Sequence, residues 1–343
     1  MVTLGKIMNK MMFNVGLALL VSLLLPNFLY AKAIEEREDV KLFIDEMVKE
    51  DGFDASELKK YFSQIKFRQD IIDLMNKPAE KTKPWYEYKN IFLTDKRIKQ
   101  GVNFWKENEG ALAYAHKVFG VPEEIIVAII GVETYYGRIT GKHRVIDALF
   151  TLAFEYPARA KFFRSELKHY FRLCKEQKID PLSLTGSYAG AMGLGQFMPS
   201  SYREYAVNFD GKDNIDIWNN RVDAIGSIAN YFRRHGWKKG EPVITAVKAE
   251  STYQFNSTTD RENNLKPQLT LQEFLNKGIV SELSQSHPNE KAALIAHEEK
   301  SGYEYWLGLN NFYSITRYNH SSMYAMAVYL LSQKIKKQYK SQE

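Results

Sequence analysis

Cysteine is nearly absent from this sequence, with only Cys174 among 343 residues. One thiol cannot form an intrachain disulfide, and it cannot supply a multi-cysteine zinc site or an iron–sulfur cluster. The seven histidines are scattered, and His297-Glu298 lacks the second histidine of a zinc-binding helix. The sequence therefore predicts a fold without covalent cross-links and without a metal centre built on these residue types.

Long hydrophobic runs are also missing. The uncharged stretch from Val15 to Leu25 is shorter than the roughly 20 residues that span a bilayer. Lys6 and Lys10 precede it, and Ala31-Lys32-Ala33 has the form of a cleavage site, which is typical of an export signal. We expect residues 1–33 to be a signal peptide and the protein to be periplasmic, but not a lipoprotein, since no cysteine lies near the cleavage point. The alternative is an uncleaved segment that associates with the membrane.

Strong charge of either sign is lacking. The formal net charge is +6, and three of the basic residues lie before residue 34. The other basic residues are dispersed, apart from the tail at Lys334 to Lys337, so the sequence predicts no nucleic-acid partner. With 45% hydrophobic and 26% charged residues, the composition is typical of a soluble globular protein. We expect it to act as a monomer.

Apolar residues recur at helical spacing along most of the chain, which predicts a mainly α fold. Asp54 followed by Glu57 predicts a helix start, and Asp51-Gly52 predicts the end of the preceding helix. Two prolines between Lys77 and Leu93 predict an extended strap there. Later helices are predicted at 122–136, 157–178, 200–208, 222–235 and 321–337.

The pattern changes at Glu241. Short strands are predicted at 243–247 and 292–296, on either side of a helix that is capped by Thr270 with Glu273. This region is interpreted as a small α/β insertion, which makes the fold class mainly α with an α+β part. After the signal peptide, the predicted segments are an N-terminal helical subdomain (34–120), a central core (121–240), the small α/β subdomain (241–310) and a C-terminal helix that returns to the core (311–343).

Glu133 is an exception in the most apolar helix of the chain. Its predicted position in the last turn, at the negative end of the helix dipole and among apolar neighbours, should raise its pKa. A carboxylic acid that stays protonated near neutral pH can act as the general acid of glycosidic cleavage. The alternative is a structural ion pair between Glu133 and Arg138 or Arg144.

A glycine-rich segment, Thr185 to Tyr202, follows later in the chain. Its four glycines and small residues would let a ligand approach the backbone, while Ser187, Tyr188 and Gln196 offer hydrogen bonds. The glycine spacing does not fit a nucleotide-binding loop. A simple turn between helices remains the alternative at this point.

Four motifs, in this order, resemble the membrane-bound lytic murein transglycosylase B family. They are Gly131 to Gly137, Gly186 to Tyr202, Val222 to Phe232 and Ile315 to Ser321. The resemblance covers approximately Trp85 to Leu331. It implies a goose-lysozyme-like helical catalytic core that acts on the glycan strands of peptidoglycan.

The resemblance also implies a mechanism. Glu133 would protonate the β-1,4 bond between N-acetylmuramic acid and N-acetylglucosamine, and would then remove a proton from the muramoyl C6 hydroxyl. The product would be 1,6-anhydromuramic acid, so no second carboxylate is needed to activate water. The alternatives are a hydrolytic muramidase and a non-catalytic peptidoglycan-binding protein.

Eight further residues are implied to contact the substrate. Ser187 and Gln196 would bind the acetamido and muramoyl groups, and Arg159 would face the peptide or lactyl carboxylate. Two apolar side chains, Met192 and Phe197, would form the walls of the cleft. The aromatic side chains that are implied to flank Glu133 and the sugar ring are Tyr231, Tyr318 and Tyr324.

The family can also hold calcium in an EF-hand-like loop, which aligns here with Asn208 to Asp216. Asn208, Asp210 and Asn214 could be oxygen ligands, but Lys212 places a cation where a carboxylate belongs. We therefore expect no cofactor, and a calcium ion in this loop remains the alternative.

Overall fold

The computed structural model describes residues 33–77, 83–212, 214–249 and 265–342. The chain divides into two compact units, of which the first ends at Gln64 and the second begins at Ile65. The predicted signal peptide lies outside the described residues, apart from Ala33. Over the residues that are described, no helix has both the length and the apolar character that crossing a membrane requires.

In the described part of the first unit, a short 3₁₀ turn (Ile34–Glu36) precedes the α-helices α1 (Glu38–Asp51) and α2 (Ala55–Phe62). Gly52 ends α1 in a left-handed conformation with φ of 62°. The Asp54 carboxylate accepts a hydrogen bond of 2.9 Å from the backbone N–H of Glu57, which caps the start of α2. Both predicted helix boundaries are confirmed.

The second unit is mainly helical. Its helices are α3 (Gln69–Asn76), α4 (Trp85–Phe92), α5 (Asp95–Glu107), α6 (Glu109–Phe119), α7 (Glu123–Thr134), α8 (Val145–Glu155), α9 (Ala160–Gln177), α10 (Pro199–Tyr205), α11 (Arg221–Arg234), α12 (Leu271–Asn276), α13 (Asn310–Tyr318) and α14 (Ser322–Lys340). The strands are β1 (His143–Arg144), β2 (Thr185–Gly186), β3 (Ile244–Ala249), β4 (Leu269–Thr270), β5 (Ile279–Ser281), β6 (Lys291–Glu299) and β7 (Gly302–Gly308).

Helix α7 lies at the centre of this unit. Its residues from Ile125 to Gly131 are all buried, because α5, α6 and α14 pack against it. Pro122 precedes the first helical residue, and two glutamates occupy the first turn. The helix predicted at 122–136 is therefore confirmed, although it ends earlier, at Thr134.

The extended strap predicted between Lys77 and Leu93 is wrong for residues 85–92, which form α4. Pro84 occupies the N-cap position, where the absence of an N–H costs nothing. Trp85, Tyr88 and Phe92 then share one buried face, so apolar burial stabilises the helix. Residues 78–82 lie outside the described part of the chain.

The larger sheet is antiparallel throughout, with strand order β4-β6-β7-β3-β5. The strands predicted at 243–247 and 292–296 are confirmed as β3 and β6. Thr270 and Glu273 form the predicted capping box at the start of α12. The mainly α fold with a small sheet is thus confirmed. The boundary at Gln64 falls inside the predicted subdomain 34–120, while the boundaries after 120, 240 and 310 stay predictions.

A buried histidine connects this sheet to the helical part of the unit. His297 of β6 is 2% exposed and stacks on Trp85 of α4, with the ring centroids 4.7 Å apart. Its Nε2 lies 3.3 Å from the hydroxyl oxygen of Ser322, the first residue of α14. Burial lowers the pKa of His297 to about 4, so the ring is neutral at physiological pH.

Candidate active site

Glu133 lies in the last turn of α7, where it is half-buried. Its Oε1 accepts a hydrogen bond of 2.5 Å from the hydroxyl of Tyr324, which lies in the first turn of α14. Burial, together with the charge of Glu133, raises the pKa of Tyr324 well above its ordinary value. The Tyr324 hydroxyl therefore keeps its proton and remains a donor to the carboxylate.

The turn after Glu133 is strained. Tyr135 and Tyr136 both have positive φ angles, of 52° and 62°, which residues with a Cβ rarely adopt. Tyr136 folds back over α7, where a Cβ on Gly131 would lie 2.6 Å from its hydroxyl oxygen. This hydroxyl donates to the backbone oxygen of Arg97 (2.9 Å), and the Arg97 guanidinium donates to the carbonyl of Gly131 (2.5 Å). Arg97, which the sequence analysis missed, thus fixes the end of the helix that bears Glu133.

The glycine-rich segment lies beside this helix end. The hydroxyl oxygen of Thr134 is 3.0 Å from the carbonyl oxygen of Leu194, and it accepts a hydrogen bond of 3.0 Å from the N–H of Gly137. Met192 forms backbone bridges with Gly186 and with Phe197, so the segment folds into a compact loop. Sequence positions 134 and 194 are thereby brought together at the same site.

The four glycines of this loop are closely packed against neighbouring atoms on the side where a side chain would project. A Cβ on Gly186 would lie 2.3 Å from the oxygen of Ala191, and one on Gly193 would lie 2.6 Å from the oxygen of Ile217. Side chains of Leu149 and Tyr318 similarly crowd Gly190 and Gly195. Glycine is therefore required at these positions by close packing within the loop and beneath it, and the approach of a ligand to this backbone stays a prediction.

Ser187 and Gln196 both line the cavity that contains Glu133. The Ser187 hydroxyl oxygen accepts a hydrogen bond of 3.0 Å from the N–H of Ala191, which leaves its O–H to donate. The Gln196 amide nitrogen donates to the carbonyl oxygens of Thr140 (3.1 Å) and Gly193 (3.0 Å). Its Oε1 is thus presented as an acceptor.

The cavity has a volume of about 520 Å³. Among the described residues that line it, Glu133 supplies the only carboxylate. A site built on one carboxylate does not match the paired acids of ordinary glycoside hydrolases. The lining residues are Glu133, Arg138, Ile139, Thr140, Gly141, Lys142, His143, Ser187, Tyr188 and Gln196.

The other predicted aromatic residues lie beneath the loop. Tyr318 donates a hydrogen bond of 2.6 Å to the carbonyl of Gly195, and Tyr231 donates one of 2.6 Å to the carbonyl of Arg317. The two rings meet edge to face, with centroids 4.7 Å apart. Met192 and Phe197 are also buried. Tyr318 thus holds the loop from another helix, Met192 and Phe197 are buried within the loop itself, and direct contact between any of these four side chains and a sugar stays a prediction.

Tyr88 belongs to the same neighbourhood, since it is one of the groups that raise the pKa of Tyr324. It is not among the predicted site residues, because the neighbouring prolines predicted an extended strap at this position. The spacing of Trp85, Tyr88 and Phe92, which is that of a buried helix face, was the signal that could have identified it.

Comparison with known proteins identifies the family. Residues 35–333 match the family described as the transglycosylase SLT domain. The chain is 44% identical over 302 residues to membrane-bound lytic murein transglycosylase B of Escherichia coli (strain K12), and the match covers 85% of this chain and 81% of that protein. This chain belongs to the lytic murein transglycosylases.

Solved structures of lytic transglycosylases share the fold. SltB1 from Pseudomonas aeruginosa, in its catenated form, has a TM-score of 0.84 and 47% identity, with 89% of this chain and 99% of that chain covered. Slt35 of Escherichia coli in complex with bulgecin A has a TM-score of 0.79 and 43% identity, with coverage of 87% and 93%. The predicted lysozyme-like fold of this transglycosylase is therefore confirmed.

Arg159 of this transglycosylase lies away from the cavity lining. It is exposed at the end of a short 3₁₀ turn, Pro157–Arg159. Its guanidinium carbon lies 4.5 Å from the centre of the Phe162 ring and 5.1 Å from that of Phe163. The role of Arg159 in binding a peptide or lactyl carboxylate stays a prediction.

In the described part of the loop at Asn208 to Asp216, the candidate calcium ligand Asp210 is paired with a lysine of the same loop, while another structure of Slt35 is a complex with calcium. The Lys212 ammonium lies 2.9 Å from Oδ2 of Asp210, and the Asn220 amide donates to the same oxygen at 2.9 Å. The Lys212 ammonium thus forms an ion pair with the carboxylate that a calcium ion would need as a ligand. No three His, Cys, Asp or Glu side chains of the described residues, which leave out Asp213, come together to hold a metal ion.

Proposed function

We propose that this transglycosylase cleaves the β-1,4 bond between N-acetylmuramic acid and N-acetylglucosamine, and that Glu133 alone supplies the acid and the base. The observation that carries this proposal is that Glu133 is the only carboxylate among the described residues that line the cavity. A reaction that uses the substrate's own hydroxyl as nucleophile needs no second carboxylate to activate water.

In the first step, Glu133 donates its proton to the glycosidic oxygen, and the bond from that oxygen to the muramoyl C1 breaks. The positive charge that develops at C1 is stabilised by the substrate's acetamido group. In the second step, the Glu133 carboxylate removes the proton of the C6 hydroxyl while the C6 oxygen bonds to C1. The product is 1,6-anhydromuramic acid, and Glu133 regains its proton without consuming water.

Tyr324 orients the acid in this mechanism. Because its hydroxyl donates to Oε1 of Glu133, the transferable proton is directed to Oε2. The same hydrogen bond stabilises the carboxylate that forms after the first proton transfer. Ser187 supplies a donor for the acetamido carbonyl, and Oε1 of Gln196 supplies an acceptor for the acetamido N–H.

The cellular setting follows from the same chemistry. Peptidoglycan lies outside the cytoplasmic membrane, and the first 33 residues have the pattern of an export signal. The enzyme thus acts in the periplasm as a monomer on glycan strands, during turnover and remodelling of the cell wall. Retention of the N-terminal segment would give the membrane-associated form of the same enzyme.

Mass spectrometry of the muropeptides released from purified sacculi tests the function. The expected fragments end in anhydromuramic acid and are lighter by one water than the products of hydrolysis. Reducing muramic acid ends would instead identify a hydrolytic muramidase. Binding to sacculi without release of fragments would identify a non-catalytic peptidoglycan-binding protein.

Replacing Tyr324 by phenylalanine should move the alkaline limb of the kcat/KM profile to higher pH. The lost hydrogen bond favours the charged form of Glu133, so its removal raises the pKa of this acid and keeps it protonated at higher pH. A shift of about one pH unit is expected, since hydrogen bonds to charged groups contribute about 1.5–3 kcal/mol. Tyr329→Phe, on the same helix, is the control. A lower rate with an unmoved profile would contradict the role of Tyr324.

A further inference from the structure

The segment that follows the strained turn forms one edge of the cavity. Arg138, Ile139 and Lys142, which we call the basic rim, are exposed and line the cavity together with Glu133. Ile139 is 68% exposed, which is unusual for an isoleucine next to a catalytic centre. The basic rim thus combines two cations and one apolar side chain at the cavity entrance.

The backbone of the basic rim is held in place. The N–H of Ile139 donates to the carbonyl of Thr134 (2.9 Å), and the Gln196 amide donates to the carbonyl of Thr140 (3.1 Å). Gly141 has a φ of 98° and approaches so closely that a Cβ there would lie 2.0 Å from the oxygen of Gly186. The rim side chains are therefore presented from a fixed backbone, as a binding site requires.

Among the residues that the structure describes, the two cations of the rim have no partner. Neither Arg138 nor Lys142 makes a hydrogen bond or an ion pair with any described residue. Arg144, two residues further on, is instead paired with Asp147 at 2.7 Å. Charged groups that are held at a site entrance without partners can bind an oppositely charged ligand without first breaking an internal pair.

The charges of the cavity lining indicate the charge of the ligand that it would bind. Its lining holds the two cations of the rim, and one carboxylate, Glu133, that must be protonated when the reaction begins. Burial lowers the pKa of His143, the remaining titratable imidazole of the lining, which is therefore neutral. A substrate-bound cavity is consequently positive at its entrance and suits an anionic group.

We propose that Arg138 and Lys142 bind a carboxylate of the substrate next to the bond that is cleaved, while Ile139 contacts the adjoining apolar surface. This inference rests on the proposed function, and it makes substrate charge a determinant of specificity. Two sources have this chemistry in peptidoglycan, namely the carboxylates of the peptide stem and the lactyl carboxylate of a muramic acid without a stem. The rim differs from Arg159, which lies outside the cavity lining.

The test compares three glycan substrates of equal length. One carries peptide stems, the second has been stripped by an amidase to expose the lactyl carboxylate, and the third is the stripped strand with that carboxylate converted to a neutral amide. Arg138→Gln, Lys142→Gln and the double variant are assayed on each for kcat and KM. Lys99→Gln, an exposed lysine of α5, is the matched control.

The double variant should raise KM about tenfold on a carboxylate-bearing substrate, with little change in kcat and none on the neutral strand. A rise in KM that is confined to stem-bearing strands identifies the peptide stem as the source of the bound carboxylate. A rise in KM that is confined to amidase-stripped strands identifies the lactyl carboxylate as the source. Equal changes in KM on all three substrates, or none on any of them, would overturn the proposal.

Failure of this inference is distinguishable from failure of the proposed function. The released fragments of every rim variant should still end in anhydromuramic acid. Binding of the same three strands is also measured in the Glu133→Gln background, where no turnover is needed. The wild type could release no anhydro product while the rim variants still lost affinity for charged strands alone. That result would support carboxylate binding by the basic rim and would contradict the proposed reaction.

Discussion

Replacing Glu133 by glutamine should lower kcat/KM on peptidoglycan by about 10⁴-fold, the upper end of the range for general acid–base catalysis. The loss is large because the same carboxyl group donates the proton in the first step and accepts one in the second, so both steps fail together. Turnover is measured from the release of anhydromuropeptides, and affinity from binding to isolated glycan strands. Affinity should be retained, because glutamine preserves the shape of the side chain.

Stability should also be retained in this variant. The amide oxygen of glutamine can accept the hydrogen bond that the Tyr324 hydroxyl donates to Glu133 in the wild type. Glu123→Gln, at the opposite end of the same helix, is the matched control and should keep full turnover. Residual activity of Glu133→Gln within tenfold of the wild type, in a folded protein, would show that another group is the acid.

Acidification from pH 7 to pH 4 should lower the free energy of unfolding by roughly 3 kcal/mol through His297 alone. Burial lowers the pKa of this histidine from 6.5 to about 4, so the unfolded chain takes up the proton first. The contribution to stability is complete above pH 6.5, falls between pH 6.5 and 4, and is lost below that range. Chemical denaturation over this pH interval measures it.

His297→Gln removes the titrating ring and should flatten this dependence. The free energy of unfolding of the variant should fall by roughly 3 kcal/mol less than that of the wild type over the same interval. His320→Gln, which changes an exposed histidine, should follow the wild type. If the free energy of unfolding fell equally with pH in His297→Gln and in the wild type, the buried ring would have to be charged or hydrated in the folded protein.

The sequence was sufficient to predict the helix that bears Glu133. An apolar run that starts after Pro122 and ends before Gly137 has few alternatives, and the only acid in its last turns is therefore conspicuous. The caps at Asp54 and Thr270 were predictable for a similar reason, since each bonds to the backbone N–H three residues further on, and at Thr270 the Glu273 side chain also bonds back. Residues that are close together in sequence determine this helix and these two caps.

The remainder of the site depends on contacts between distant positions. Tyr324 and Glu133 are 191 residues apart in sequence, and no spacing rule connects them. The resemblance to a family named Tyr324, but only the structure shows that its hydroxyl contacts the acid. Helix α4 was not predicted because the two prolines that precede it outweighed the buried face formed by Trp85 and Tyr88, which pack against other parts of the fold.

The closely packed glycines of the loop have a consequence for how such an enzyme can change its substrate range. Because Gly186, Gly190, Gly193 and Gly195 pack against neighbouring atoms of the protein, a larger residue at any of them would displace the loop without filling the cavity. The side chains that line the cavity, among them Tyr188 and Ile139, belong to other positions. Engineering toward bulkier or slimmer polysaccharides should therefore vary these lining positions and leave the glycines of the loop unchanged.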